Sequence, residues 1–188
     1  MRKHAVLVAV LAALLALAGC GDDEPPNETR TASNGDQFND ADVWFATEMI
    51  QHHAQALSMV DLSLGRPLDP RVERLAEDIR EAQAPEIEQM TDWLTSWDEP
   101  VPATVRDHAN AHGGGDMEMG ELTALEDVPD AGFQDRFLRM MIEHHEGAVA
   151  MARTEQADGA FEPAVDLAKE IESSQTEEIQ RMQDLLDS

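Results

Sequence analysis

The sequence reads FATEMIQHHAQALSM from Phe45 to Met59 and FLRMMIEHHEGAVAM from Phe137 to Met151, with seven positions identical at a spacing of 92 residues. Each copy places two adjacent His between Met residues. A second pair of stretches matches at the same spacing and reads LAEDIREAQAPEIEQMTDWL over 75–94 and LAKEIESSQTEEIQRMQDLL over 167–186. The chain therefore contains two similar units of two segments each.

The spacing of the repeated positions is helical in all four segments. At 100° per residue, six of the seven identical positions of the first stretch fall within an arc of about 120°, and the apolar positions of the second stretch do the same. Turn-forming residues separate the segments, and Asp69 followed by Pro70 is typical of a helix N-cap and the first helical position. Four amphipathic helices joined as two hairpins predict an all-α, four-helix bundle.

The repeat also sets the predicted boundaries of the folded domain. We expect one bundle over residues 39–188, with repeat one at about 39–97 and repeat two at about 131–188. The connecting loop then covers about 98–130.

The charge of the chain excludes one large class of partner. It contains 39 Asp and Glu against 13 Lys and Arg, for a formal net charge of −26. Nucleic acids are bound by clustered Lys and Arg, so the composition excludes a nucleic-acid partner and favours cations. Aromatic residues make up only 4%, without Tyr, whereas there are ten Met and seven His. The functional site has to account for that imbalance.

The first residues resemble the signal of a bacterial lipoprotein. Arg2 and Lys3 precede an apolar run that ends in Leu-Ala-Gly-Cys at Cys20, which is similar to the lipobox at which such proteins are cleaved and acylated. This predicts a signal peptide over 1–19, lipidation of Cys20 and a flexible acidic tether over 20–38. The mature protein is then anchored to the cell membrane on its extracytoplasmic side, periplasmic or outer face. An ordinary cleaved signal with an unrelated Cys is the alternative.

The identical positions on the first helix of each repeat form one stripe along the helix. This repeated stripe carries side chains that packing alone does not require. Met49 lies about one helical turn from both His52 and His53, so these side chains can reach a common ion. A set of thioether and imidazole ligands suits Cu(I), whereas Mg and Ca require oxygen ligands and Zn prefers Cys, His and carboxylate. The sequence therefore predicts a copper site. Its inner ligands are His52, His53, His144, His145, Met49 and Met141.

Further candidate ligands lie at matched inward positions or in the connecting loop. The second choices are Met59, Met151, Met90, Met182, Glu86 and Glu178. As ligands, the two Glu would admit iron, manganese or zinc, and as hydrogen-bond partners they would orient the His rings. A possible loop site surrounds three consecutive Gly and consists of His108, His112, Met117 and Met119.

The doubled Met-Ile-x-His-His motif, followed by Gln-x-x-Glu-Ile-x-x-Met, resembles the DUF305 family of secreted bacterial proteins. The resemblance covers about residues 38–188. It implies a ferritin-like four-helix bundle with two helices per repeat, and an association with metal binding, copper in particular for some members. The family's Asp three residues before the Phe is present as Asp42 but is Gln134 in the second copy, and Leu185-Leu186 replaces Trp-Leu. Neither difference affects the predicted ligands.

Three functions compete at this point. The favoured one is a membrane-tethered, extracytoplasmic protein that sequesters or relays Cu(I) and needs no catalytic residue. Its partners are metal ions and, through Cys20, the membrane. The first alternative is an adaptor or structural lipoprotein whose His only form buried hydrogen-bond networks. The second is a ferritin-like metalloenzyme with an open coordination position and Glu86 or Glu178 as a ligand.

Overall fold

The computed structural model describes residues 28–104 and 119–188. The predicted signal peptide, Cys20 and the tether up to residue 27 lie outside these ranges. So do His108, His112 and Met117 of the possible loop site, together with the side chain of Met119.

Four long α-helices and one short one make up the part of the chain that the structure describes. They are α1 Asp40–Ser63, α2 Pro70–Ser96, α3 Met119–Glu126, α4 Asp130–Asp158 and α5 Glu162–Leu186. Before them, β1 Arg30–Thr31 pairs antiparallel with β2 Gln37–Phe38. The long helices correspond to the four repeated segments, so the all-α prediction is confirmed. Among the described residues, no helix combines the length and hydropathy that crossing a bilayer requires.

Local sequence explains where the first two long helices begin. Asn39 caps α1: its side-chain oxygen accepts hydrogen bonds from the backbone N–H groups of Ala41 and Asp42, and the Asp42 carboxylate accepts one from the N–H of Asn39. Asp69 caps α2 by accepting from the N–H of Arg71, with Pro70 at the first position, which confirms the prediction. The helix continues without a break through Pro85.

The long helices pack as two hairpins joined face to face. α1 lies along α2, α4 lies along α5, and the main contact between the hairpins is that of α1 with α4. Each first helix of a repeat is therefore central, whereas α2 and α5 are peripheral. This arrangement directs the repeated stripes of α1 and α4 towards each other.

The hydrophobic core consists of two clusters that the 92-residue repeat relates to each other. Core A combines the first half of α1 and the last half of α2 with the opposite halves of α4 and α5, and core B is the converse. Core A contains Phe45, Met49, Met90, Ala148 and Ile171. Core B contains their counterparts Phe137, Met141, Met182, Ala56 and Ile79. The two repeats are thus exchanged by an internal two-fold axis.

Ordered structure extends into two regions where loop is predicted. The sequence places a flexible tether over 20–38, whereas residues 30–38 form the β1–β2 pair, because Phe38 buries its ring by stacking on Trp97 with 4.6 Å between ring centroids. The predicted connecting loop over 98–130 contains α3, whose Leu125 is fully buried in core B. Arg66 fixes the end of α3 by donating to the carbonyl groups of Glu126 and Val128.

Candidate metal centre

His52 and His144 occupy the same position in the two repeats and lie against each other at the centre of the bundle. Their ring centroids are 3.6 Å apart and the ring planes are inclined by 33°. Because each histidine contacts its own counterpart, the internal two-fold axis passes between them. Both residues are buried, and none of their four ring nitrogens has a hydrogen-bond partner among the described residues.

Burial keeps this central pair uncharged. Loss of solvent, reinforced by the neighbouring His53 and His145, lowers the pKa of His52 to about 3. Burial likewise lowers the pKa of His144 well below its usual value, reinforced by the proximity of His52. Both imidazoles are therefore neutral at pH 7, and each has one ring nitrogen whose lone pair can bind a metal without first losing a proton.

Each second histidine of the repeated pair is held by a carboxylate. His53 Nε2 lies 2.6 Å from Glu86 Oε2, and His145 Nε2 lies 2.8 Å from Glu178 Oε2. We assign the proton to Nε2, because the Nδ1 atom of each ring is buried without a described acceptor and a proton there would be unsatisfied. The lone pair of Nδ1 then points into the protein interior, in the manner of a carboxylate–histidine pair that presents one nitrogen to a metal.

The predicted Met ligands fall into two matched groups in the hydrophobic core. Met49, Met90, Met59, Met141 and Met182 are all fully buried. Met151 is partly exposed and packs against core A. Met49 and Met90 belong to core A, and Met141, Met182 and Met59 belong to core B. Three of the six predicted Met ligands therefore lie in or against each core.

Two buried glutamines add to the unpaired polar atoms of the interior. Gln83 and Gln175 lie one turn before Glu86 and Glu178 on the same faces of α2 and α5. Both amide atoms of Gln83 and the amide oxygen of Gln175 lack a hydrogen-bond partner among the described residues. Their burial matches the inward position that the helical periodicity predicts.

The donor atoms fit a soft ion better than a hard one. Within residues 28–104 and 119–188, no three His, Cys, Asp or Glu side chains converge as a metal site of their own. Glu86 and Glu178 are directed at histidine nitrogens, which places them as orienting groups. A site built from the buried nitrogens therefore needs thioether sulfur to complete it, and that mixture favours Cu(I) over Zn, Mg or Ca.

A second buried polar group was not expected from the sequence. The Asp42 carboxylate is fully buried and accepts hydrogen bonds from the backbone N–H groups of Asn39, Ala160 and Phe161 at 2.6, 3.1 and 2.9 Å. Beside it, burial and then the Asp42 charge raise the pKa of the fully buried Glu155 to about 9. The sequence signal for this buried group was Glu155 itself, because it is a charged residue on the apolar arc of α4, one turn after Met151.

Comparison with known proteins agrees with the fold. The family model described as a domain of unknown function, DUF305, matches residues 42–186. No curated protein matches the chain.

Three solved structures are similar to this chain over most of its length. A DUF305 fragment from Deinococcus radiodurans is 31% identical with a TM-score of 0.68, covering 84% of this chain and 99% of that one. A DUF305 protein from Streptomyces coelicolor is 32% identical with a TM-score of 0.67, covering 78% and 91%. CopM in its Cu(I)-bound form is 31% identical with a TM-score of 0.65, covering 78% and 95%. CopM has also been solved with Cu(II) and with silver.

Proposed function

The chain belongs to the DUF305 family, and from that premise we propose that it is an extracytoplasmic metal-binding protein whose cargo is copper, as Cu(I). In this proposal it sequesters the ion or relays it to another protein and carries out no chemistry on it. The similarity to CopM, which binds copper and silver, supports the choice of metal.

One observation carries the proposal: six buried histidine ring nitrogens without a hydrogen-bond partner among the described residues. They are both nitrogens of His52 and His144 and the Nδ1 atoms of His53 and His145. A buried polar atom left unpaired costs about 1–3 kcal/mol. Four of the six, one on each neutral ring, carry a lone pair that a metal ion can accept. Met49 and Met141, one turn before the histidines, supply the sulfur that a soft ion prefers.

The surroundings of the histidines support retention of a cation. Glu86 and Glu178 contact the Nε2 atoms of the His rings and supply negative charge on the side of each ring opposite its Nδ1 donor. The net charge of the whole chain, −26, raises the local concentration of cations at its surface. Anchoring through Cys20 would keep the bound metal at the membrane on the extracytoplasmic side.

Anaerobic Cu(I) titration against a competing chelator tests the function. The double variant His53→Gln with His145→Gln should bind at least about 100-fold more weakly, because it removes two ligands and not merely their orienting groups. The comparison variant His108→Gln with His112→Gln removes the same number of imidazoles from the possible loop site, and a loss of affinity there would show that the loop also binds the ion. Circular dichroism checks that both variants remain helical. Equal affinity in all three proteins would overturn the assignment of the central histidines.

A second candidate function is supported by the same contacts. The His53–Glu86 and His145–Glu178 pairs are already hydrogen-bonded, so they can serve as a buried polar network in an adaptor or structural lipoprotein. Such a protein would bind no Cu(I) under anaerobic conditions. The double variant would then lose stability, and neither it nor the wild type would bind the ion.

A further inference from the structure

We propose that the bundle holds two soft monovalent ions in two equivalent sites, one on each side of the His52–His144 pair, and that each site takes ligands from both repeats. This inference rests on the proposed function and specifies its stoichiometry. It also assigns roles to the four Met residues that the inner ligand set leaves secondary.

The internal symmetry sets the number of sites. His52 stacks on its own counterpart His144, so the two-fold axis runs between these rings. A site on the axis can occur only once, whereas any site displaced from it must occur twice. The remaining candidate ligands are displaced from the axis, because His53 and His145 each pair with a different glutamate.

The Met residues divide into two trios in agreement with this symmetry. Core A includes Met49 and Met90, and Met151 packs against it. Core B includes their three counterparts, Met141, Met182 and Met59. In each trio two residues come from one repeat and the third comes from the central helix of the other repeat. Neither site would therefore exist in a single repeat.

Each trio shares its helix faces with one of the oriented histidines. On α1, His53 lies one turn after Met49, and on α2, Met90 lies one turn after Glu86, which holds the His53 ring. The same spacing relates His145 to Met141 and Met182 to Glu178. Each site thus offers three thioethers and the unpaired Nδ1 of one imidazole.

The charge of these ligands selects the ion. All four donors of a site are neutral, and in a buried environment a neutral shell tolerates a single positive charge far better than a double one. The one carboxylate that holds the His ring balances that single charge. Soft sulfur donors then select Cu(I) or Ag(I) among monovalent ions.

The two sites differ in their access to solvent. Met151 of the core A trio is partly exposed, whereas its counterpart Met59 in core B is fully buried. Core B is also covered by α3, whose Leu125 is fully buried within it. The core A site is therefore expected to exchange its ion faster.

Silver titration monitored by native mass spectrometry of the full chain counts the ions. One variant carries Met49→Leu, Met90→Leu and Met151→Leu, and its mirror image carries Met141→Leu, Met182→Leu and Met59→Leu. Leu preserves side-chain volume and removes sulfur. Each triple variant should bind one Ag(I) fewer than the wild type, and the variant with all six changes should bind two fewer. Met140→Leu, in core B but outside the trio, is the control and should lose none.

The outcomes separate this inference from the function beneath it. A wild-type protein that binds neither Ag(I) nor Cu(I) contradicts both. Binding by wild type that both triple variants weaken equally, with no change in ion count, contradicts only the two-site arrangement and indicates one shared site. If a triple variant does not fold, the single variants Met90→Leu and Met182→Leu make the same comparison, each expected to weaken one of two binding steps.

Discussion

The centre of the bundle and the Asp42 corner, formed by Asp42 and Glu155, are both buried and both polar. Only the centre occurs in both repeats. His52 and His53 recur as His144 and His145, each second histidine with its glutamate. At the corner, the repeat places Gln134 where Asp42 stands, and Ser63 where Glu155 stands. The repeated region supplies donor atoms for a ligand, whereas the diverged region joins helices. Duplication within the chain thus separates the proposed metal centre from the structural part of the interior.

A hydrogen bond nevertheless joins the start of each central helix to a loop of the other repeat, and the chemistry of this joint differs between the two repeats. Asp42 at the start of α1 accepts from the backbone N–H of Phe161, just before α5. Gln134 at the start of α4 accepts from the N–H of Asp69, just before α2, at 2.8 Å. Each central helix therefore holds the loop that precedes the second helix of the other repeat. One joint is a buried carboxylate with three N–H donors and the other is a single neutral hydrogen bond.

Removing the charged joint should have the largest effect. Asp42→Ala leaves three backbone N–H groups without their acceptor, at about 1–3 kcal/mol for each buried donor, so we expect the free energy of unfolding to fall by about 4 kcal/mol. Urea unfolding followed by circular dichroism measures this. The control is Asp40→Ala, two residues earlier at an exposed position, which should leave the midpoint unchanged. A loss for Asp42→Ala as small as that of the control would show that water replaces the carboxylate.

Glu155 should make the corner sensitive to alkali. Its pKa is about 9 in the folded protein against 4.5 in the unfolded chain, so folding at pH 7 takes up a proton. The stability that this group contributes is complete below pH 4.5 and is lost as pH rises through 9. Because Gln cannot ionise, Glu155→Gln should be more stable than wild type by about 3 kcal/mol at pH 7, from 1.36 kcal/mol per pH unit.

The pH dependence of the difference in unfolding free energy between Glu155→Gln and wild type tests this prediction. Urea unfolding at pH 5, 7 and 8.5 should give a gap between Glu155→Gln and wild type that widens with pH. Glu162→Gln, an exposed site on α5, is the control and should give a constant gap. A constant gap for Glu155→Gln would mean that the Glu155 carboxyl group is ionised in the folded state.

The centre should respond to pH in the opposite direction. The pKa of His52 is lowered to about 3 from 6.5, so in the metal-free protein its contribution to stability is present above pH 6.5 and is lost as pH falls through 3. Between pH 7 and pH 5 this amounts to about 2 kcal/mol. The variant His52→Gln should therefore lose about 2 kcal/mol less than wild type over that interval. Parallel losses in unfolding free energy would show that His52 is accessible to protons when folded.

The fold was largely readable from the sequence, because helical periodicity is a local property. Met49, His53 and Ala56 share one stripe, the stripe recurs 92 residues later, and turns punctuate the segments. The β1–β2 pair could not be read in this way. It depends on Phe38 stacking on Trp97, which lies at the far end of the next two helices.

The burial of the candidate ligands could be predicted from the sequence, but their contacts could not. The inward positions of His53 and Glu86 follow from helix phase, whereas the choice of Glu86 as a ring partner depends on how α1 and α2 pack. The raised pKa of Glu155 depends on Asp42, which is distant in sequence and adjacent only in the folded bundle. Local patterns identify the donors, and tertiary packing decides which donors pair.

Removing the neutral joint should have the smallest effect and is the direct measure of what the charge at Asp42 adds. Gln134→Ala deletes one hydrogen bond to the N–H of Asp69, a partly buried donor that water can reach, so the free energy of unfolding should fall by about 1 kcal/mol. The same urea experiment gives the ratio to Asp42→Ala, expected to be about one to four. Equal losses would mean that the carboxylate does no more than the amide, and that the two corners differ in sequence but not in strength.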